Sequence, residues 1–427
     1  MKLSDIAELN PKRTLKKGTV APFVEMAALP TNAKNITEIT QKTFSGSGSK
    51  FKNGDTLFAR ITPCLENGKT ALITELNDEE IAHGSTEFIV ISPKNISVDM
   101  HYIYYLARLP EFREYARSRM EGTSGRQRVS WQSLAEFEFN FPNEEKRKVI
   151  GEKLSLLDEK ITLNTQTNQT LEQIAQAIFK HWFIDFAPVH AKANALARGE
   201  TIEQAELAAM ACLSGKTVEK ITALKTEDPT AYHQLQQTAQ AFPSEFVETE
   251  MGQVPKGWEV KPINEICSIV YGKGLPKNQL KSSGYPVYGA NGVIGYYDQY
   301  LYKTRQVLIG CRGTVGQVYV SQPYSYITSN SLIIEDTKTI LNLYFLELYL
   351  KNLDLSVFAS GSVQPQITIQ NLSRLKIFIP NKEILDLFSS LVEPMYQLTY
   401  KNDDEKKTLS EIRDFLLPKL LNGEIEL

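Results

Sequence analysis

Residues 44–48 read FSGSG, and glycines spaced this way can bring a backbone close to S-adenosylmethionine. That chemistry needs a buried strand before the glycines and a helix after them. The flanks here are ITQKT and SKFKNGD, neither strongly apolar, and the nearest approach to an N-P-P-Y tetrapeptide is DPTAY from Asp228. FSGSG therefore reads as a loop. SGKT at 214–217 resembles the end of a phosphate-binding loop, but the first glycine of that pattern would fall at Met210. Glu259 and Lys261 form a nuclease-like Glu-x-Lys with no acidic residue on a preceding strand. The five histidines (His83, His101, His181, His190, His233) are dispersed. The four cysteines (Cys64, Cys212, Cys267, Cys311) show neither metal-ligand spacing nor a pairing pattern. No catalytic and no metal site is expected, and cysteine usage points to a reducing cytoplasm.

Binding is better supported. Between Tyr271 and Gly316, Lys273, Lys277, Lys303, Arg305 and Arg312 alternate with tyrosines that include Tyr288, and Asn291 lies in a Gly-rich turn. Lysine and arginine neutralise phosphates, and Gly-rich turns let backbone amides approach them. Arg312 ends a strand-like apolar run, as Arg60 does earlier, where a bidentate guanine contact is sterically plausible. Arg60, Lys69, Arg126 and Arg128 are the corresponding candidates in the first half. The alternative is that the tyrosines are strand and core residues, since tyrosine is common in β structure. Net charge over the chain is −3. By region, however, 251–380 carries +5 and 1–143 carries +1, while 187–250 and 381–427 each carry −4 and 144–186 carries −1. One globular part is clearly basic.

The elements that must position these residues are duplicated. RQRVSWQSL (126–134) is echoed by QPQITIQNL (364–372), EFEFNFP (136–142) by RLKIFIP (374–380), and LEQIAQAIFKHWF (171–183) by LSEIRDFLLPKLL (409–421). The plan is two globular parts, each followed by a helical run. Apolar residues at Ile150, Leu154, Leu157, Ile161, Leu171 and Ile178, with Asn164 between, step by threes and fours as a heptad seam. The second seam carries Val392, Met395, Asn402, Leu409 and Leu416. A helix of about 38 residues is about 57 Å long, and two such helices most simply bury their stripes against each other. The seam asparagines are expected to fix register. Pro394 should kink the second helix, and Pro418 should fall near its end.

The expected domains are 1–143, a spacer helix over 144–186, a linker of short surface helices over 187–250 without a core of its own, 251–380, and a second spacer helix over 381–427. The composition of 42% hydrophobic and 23% charged residues in 427 is that of a core-forming protein too long for one domain. No stretch approaches the roughly 18 apolar residues of a membrane helix, and no membrane partner is expected.

GDTLFARI, YGANGVIGYYD, RQVLIGCRGTVGQV, GSVQPQITIQNLSRLKIFIP and LPKLLNGEI, in this order and within the repeated plan, resemble the specificity subunit of a type I restriction-modification enzyme. The resemblance implies an α+β fold of two pseudo-repeated target-recognition domains, separated by two long helices that form an antiparallel coiled coil. It implies a non-catalytic chain that reads a bipartite asymmetric target in double-stranded DNA. It also implies two adenine methyltransferase subunits docked on the helices, with restriction subunits outside them. S-adenosylmethionine, ATP and Mg would then sit on those partners and no cofactor on this chain. Residues 22–40 have no clear counterpart in the second half. Two alternatives stay open: a coiled-coil scaffold with two other binding modules, and a methyltransferase in its own right.

Overall fold

A computed structural model describes residues 1–425 apart from 124, 337, 338 and 362. It divides into two compact units, Met1–Asn168 with Tyr400–Leu427, and Gln169–Thr399. Each unit contains one mixed α/β domain and a portion of both long helices, Glu144–Phe179 and Lys382–Leu421.

In the first unit, β1 (Ala7–Leu9), β2 (Thr56–Ala59), β3 (Thr70–Leu72) and β4 (Phe88–Pro93) form an antiparallel sheet ordered β1-β4-β2-β3. β2 is buried along its whole length, because alternate residues serve two cores. Phe58, Ile89 and Ile91 join Tyr102, Ile103 and Leu106 of the helix Ile96–Arg108, whereas Leu57, Ala71 and Val90 join Val24, Leu29 and Phe51. The latter core lies with a second sheet in which Val20–Val24 pairs parallel with Ala82–Gly84.

The second unit repeats this topology. β5 (Ser268–Tyr271), β6 (Val307–Gly310), β7 (Val318–Val320) and β8 (Ser331–Glu335) are ordered β5-β8-β6-β7. Beside them Tyr285–Gly289 pairs parallel with Tyr326–Ile327. Here Tyr285–Gly289 returns as Gly292–Tyr297 through the two residues Ala290 and Asn291. In the first unit the same return, from Val20–Val24 to Thr40–Thr43, takes residues 25–39. The segment without a sequence counterpart is thus an enlarged hairpin loop. Its carbonyls at Thr31, Asn32 and Ala33 accept hydrogen bonds from Arg108, Arg413 and Tyr104, and Lys34 Nζ donates to Ser155 Oγ at 2.7 Å and Glu159 Oε1 at 3.2 Å.

On the first long helix, Ile150, Leu154, Leu157, Ile161, Asn164, Leu171 and Ile178 are buried or half-buried, as are Val392, Met395, Asn402, Leu409 and Leu416 on the second. Within the first unit the helices run antiparallel: Asp158 meets Arg413, Asn164 meets Glu405, and Asn168 meets Asn402 and Asp403. The partner of Asn402 is therefore Asn168, one helical turn beyond Asn164, because antiparallel pairing does not bring equivalent seam positions together. Within the second unit Phe388 packs on Phe179, Trp182 and Phe183 at ring distances of 5.9, 5.9 and 5.0 Å. The second helix continues through Pro394 as well as Pro418. Pro394 and Ser390 are both exposed, so the Ser390 carbonyl that loses its intrahelical donor faces water.

The linker differs from expectation. It forms the helices Ala187–Ala197, Ile202–Ser214, Val218–Glu227 and Pro229–Ala241 and encloses a small core of Ala209, Met210, Ile221, Tyr232 and Ala239. Small alanines let these short helices approach closely, so few large side chains suffice to fill the space between them.

Asp158 and Arg413 are each 2% exposed, and Tyr105 Oη donates to Asp158 Oδ2 at 2.6 Å. Asp158→Ala, which strips Arg413 of its buried carboxylate and leaves it the exposed Asp414, should lower the unfolding free energy by about 2–3 kcal/mol in a urea titration. A loss under about 1 kcal/mol would mean that water reaches the pair.

Candidate nucleic-acid interface

In each domain the central strand, β2 or β6, runs out beneath a short hairpin. Met120–Glu121 pairs with Arg128–Val129, and Ala359–Ser360 with Gln366–Ile367. The repeated phrases RQRVSWQSL and QPQITIQNL are the returning strands of these hairpins and the helices Trp131–Ala135 and Ile369–Leu372 that follow. Ser130 and Thr368 cap those helices, their hydroxyls accepting from the amides of Ser133 and Asn371. Arg128 bridges to Ile61, and Gln366 to Arg312.

The strand register corrects one expected correspondence. Thr56 lies opposite Ile91 and Val307 opposite Ile334, so Thr56–Ala59 matches Val307–Gly310. Arg60 then matches Cys311, and Arg312 matches Ile61. A slip of one residue along a strand puts a side chain on the other face. Arg60 lies on the side of Phe58; it is half-buried, and its Nε has no partner among the described residues. Cys311 is fully buried beside Ile309. Arg312 projects the other way and is exposed.

The other first-domain candidates are largely engaged within the fold. Lys69 Nζ donates to the Met26 carbonyl at 2.7 Å and ties down the enlarged loop. Arg128 grips Glu87 through Nε at 3.0 Å to both carboxylate oxygens and through a terminal nitrogen at 2.8 Å. Nothing local to GSTEFIVI marks Glu87 as an arginine partner. Arg126 is exposed on the hairpin.

In the second domain Lys273, Lys277 and Lys303 are exposed, and Asn291 is exposed at the tip of its two-residue turn. Arg305 is half-buried, with one terminal nitrogen donating to the Ser321 carbonyl at 3.4 Å. Tyr288 is a core residue: 6% exposed, it stacks on Tyr319 and accepts a hydrogen bond from the Gln322 amide at 2.9 Å. Burial pushes the Tyr319 hydroxyl up from its ordinary pKa. Tyr285, Tyr300 and Tyr324 pack against one another, so much of the tyrosine pattern serves packing.

Arg312 does belong to a formed site. Its Nε donates to Gln366 Oε1 at 3.1 Å, and its guanidinium lies 5.9 Å from the Tyr271 ring centre. Gly313, Val363, Gln364 and Pro365 complete the lining of a concave cleft there. The loop presenting Arg312 is tight because Gly310 has no side chain; a Cβ would meet the Thr314 and Ala290 carbonyl oxygens at 2.3 and 2.4 Å. The signal that could have found this site is the pairing of R-G-T-V-G with the later Q-P-Q. Among the described residues no cluster of His, Cys, Asp or Glu could hold a metal. No described helix is long and apolar enough to cross a membrane.

Two domains of one topology, an antiparallel helix pair, and hairpins with unlike side chains at equivalent backbone positions define a duplicated protein. The sequence profile of the type I restriction modification DNA specificity domain matches residues 1–173 and 255–407. The chain is 35% identical over 422 residues to the type I restriction enzyme HindI specificity subunit of Haemophilus influenzae, covering 90% of this chain and 89% of that one. It is 25% identical over 360 residues to the MjaIX specificity subunit of Methanocaldococcus jannaschii, covering 78% and 71%. Its fold is similar to the crystal structure of a type I restriction-modification S subunit from M. genitalium, with a TM-score of 0.56 at 15% identity over 99% of this chain and 95% of that one. The chain belongs to the type I restriction-modification DNA specificity family, whose members are non-catalytic recognition subunits.

Tyr288→Phe keeps the stacked ring and removes only the hydroxyl. Unfolding stability should fall by about 1 kcal/mol, while DNA affinity of the folded protein stays within about twofold of wild type in a binding titration. An affinity loss of about tenfold at unchanged stability would place Tyr288 in the interface.

Proposed function

We propose that this chain reads a two-part, asymmetric target in double-stranded DNA, one half-site per domain, and positions two adenine methyltransferase subunits and, through the complex, restriction subunits upon it. The carrying observation is the hairpin at the end of the central strand, present in both domains on matching backbone but furnished differently. It holds Ile61, Arg128 and Glu87 in the first domain and Arg312, Gln366 and Tyr271 in the second. Equal frames suit the features common to any duplex, and unlike side chains suit unlike bases. The net +5 of residues 251–380 supplies the counterion-release contribution to affinity. The paired long helices act as the ruler that sets the gap between half-sites. S-adenosylmethionine, ATP and Mg belong to the partner subunits, this chain holds no cofactor, and the complex works in the cytoplasm.

The test is an adenine-methylation map of DNA exposed to the chain in complex with its methyltransferase partner. A two-part motif with unlike halves and a fixed degenerate gap is expected, and log affinity should fall linearly with log salt. A symmetric motif, or an assembled and active complex that methylates without sequence preference, would refute the reading.

A further inference from the structure

We infer that Arg312 reads a guanine in the half-site of the second domain. This rests on the DNA-reading function proposed above and assigns one base contact within it. The guanidinium is held in a defined plane before any ligand arrives. Gln366 Oε1 accepts a hydrogen bond from Nε at 3.1 Å, the backbones of the two residues form an isolated β-bridge, and the Tyr271 ring lies beneath at 5.9 Å. Among the described residues nothing accepts from the two terminal nitrogens. They form a fork that faces the cleft lined by Val363 and Gln364. Its orientation is set in advance, so little side-chain freedom is lost on binding.

A fork of two parallel N–H groups matches two kinds of paired acceptor, the O6 and N7 of guanine and two oxygens of a phosphate. The repeat decides between them. Phosphates are the same in both half-sites, so a phosphate clamp on this frame would be useful to both domains. The strand register instead puts Ile61, which has no side-chain donor, at the position of Arg312. The first domain's Arg128, opposite Gln366 in the repeat, is held by three hydrogen bonds to Glu87. A donor fork offered by one domain and absent from the other suits a base that only one half-site contains. Among the described residues no carboxylate lines the cleft. The single acid between Tyr271 and Leu332, Asp298, is paired with Lys281.

The experiment compares methylation maps for complexes containing the wild-type chain, Arg312→Ala and Arg312→Lys. With the wild type, one half of the motif should contain a required guanine. Arg312→Ala should relax that one position, lowering its preference for guanine by about tenfold or more, and leave the other half unchanged. Arg312→Lys should retain most of the affinity without the preference, since an ammonium lacks the fork. A second measurement uses the wild-type complex alone: 7-deazaguanine at that position, which lacks N7, should weaken binding by about tenfold. Uniformly weaker methylation at an unchanged motif, or a full-strength complex on 7-deazaguanine DNA, would assign Arg312 to a phosphate and overturn the inference while leaving the proposed function standing. A wild-type complex with no two-part motif would overturn both.

Discussion

A helix of 36 or 40 residues with a single apolar stripe cannot leave that stripe in water, and the rest of this architecture follows from how the two stripes are covered. Burying one against the other joins segments more than two hundred residues apart in sequence. In the first unit the pairing is pinned by polar contacts as well as apolar ones: Asp158 with Arg413, Asn168 with Asn402, Asn164 with Glu405. These contacts are directional. A shift of the helices by one turn would break the buried Asp158–Arg413 pair and the amide contacts together, which costs far more than misplacing a leucine.

The same pairing changes what counts as a domain. Leu417, Leu420 and Leu421, near the end of the chain, belong to the core that contains Leu3, Ile6 and Phe58. The first recognition domain is completed by residues of the second long helix, and the enlarged loop 25–39 adds to this, since the Asn32 carbonyl accepts from Arg413. The second domain contacts its helical portion differently, through the rings of Phe179, Phe183, Phe345 and Phe388. Aromatic edge-to-face contacts of this kind each contribute about 0.5–1.5 kcal/mol beyond burial.

On the recognition side, conserved topology and altered side chains coexist because a sheet separates the two demands. The four-stranded sheets share one strand order, and their central strands are buried on both faces. The functional differences lie just past the strand ends, where the hairpins close. There a single position holds isoleucine in one domain and arginine in the other, with no disturbance to the ladder behind it. The linker adds a small core of its own within the second unit.

Much of this was legible in the amino-acid order alone. The duplication, the two helical seams, the basic second domain and the family resemblance all follow from local patterns: repeats at a constant offset, apolar residues at heptad spacing, charges counted by region. Those patterns report which residues must be hidden from water, and that depends on residue type and spacing only. Three things depended on the tertiary structure. Arg60 and Arg312 look like counterparts but stand on opposite faces, because loop lengths differ and face is decided by a single residue of register. Tyr288 and Lys69 look like DNA contacts but are engaged by Gln322 and Met26, partners that no local signal announces. Asn402 meets Asn168, not Asn164, because which seam positions face each other is set by helix direction and stagger. Residue type and spacing dictate what has to be buried and how often it repeats; which polar groups remain to face a ligand is settled by long-range partners, and those exist only in the folded chain.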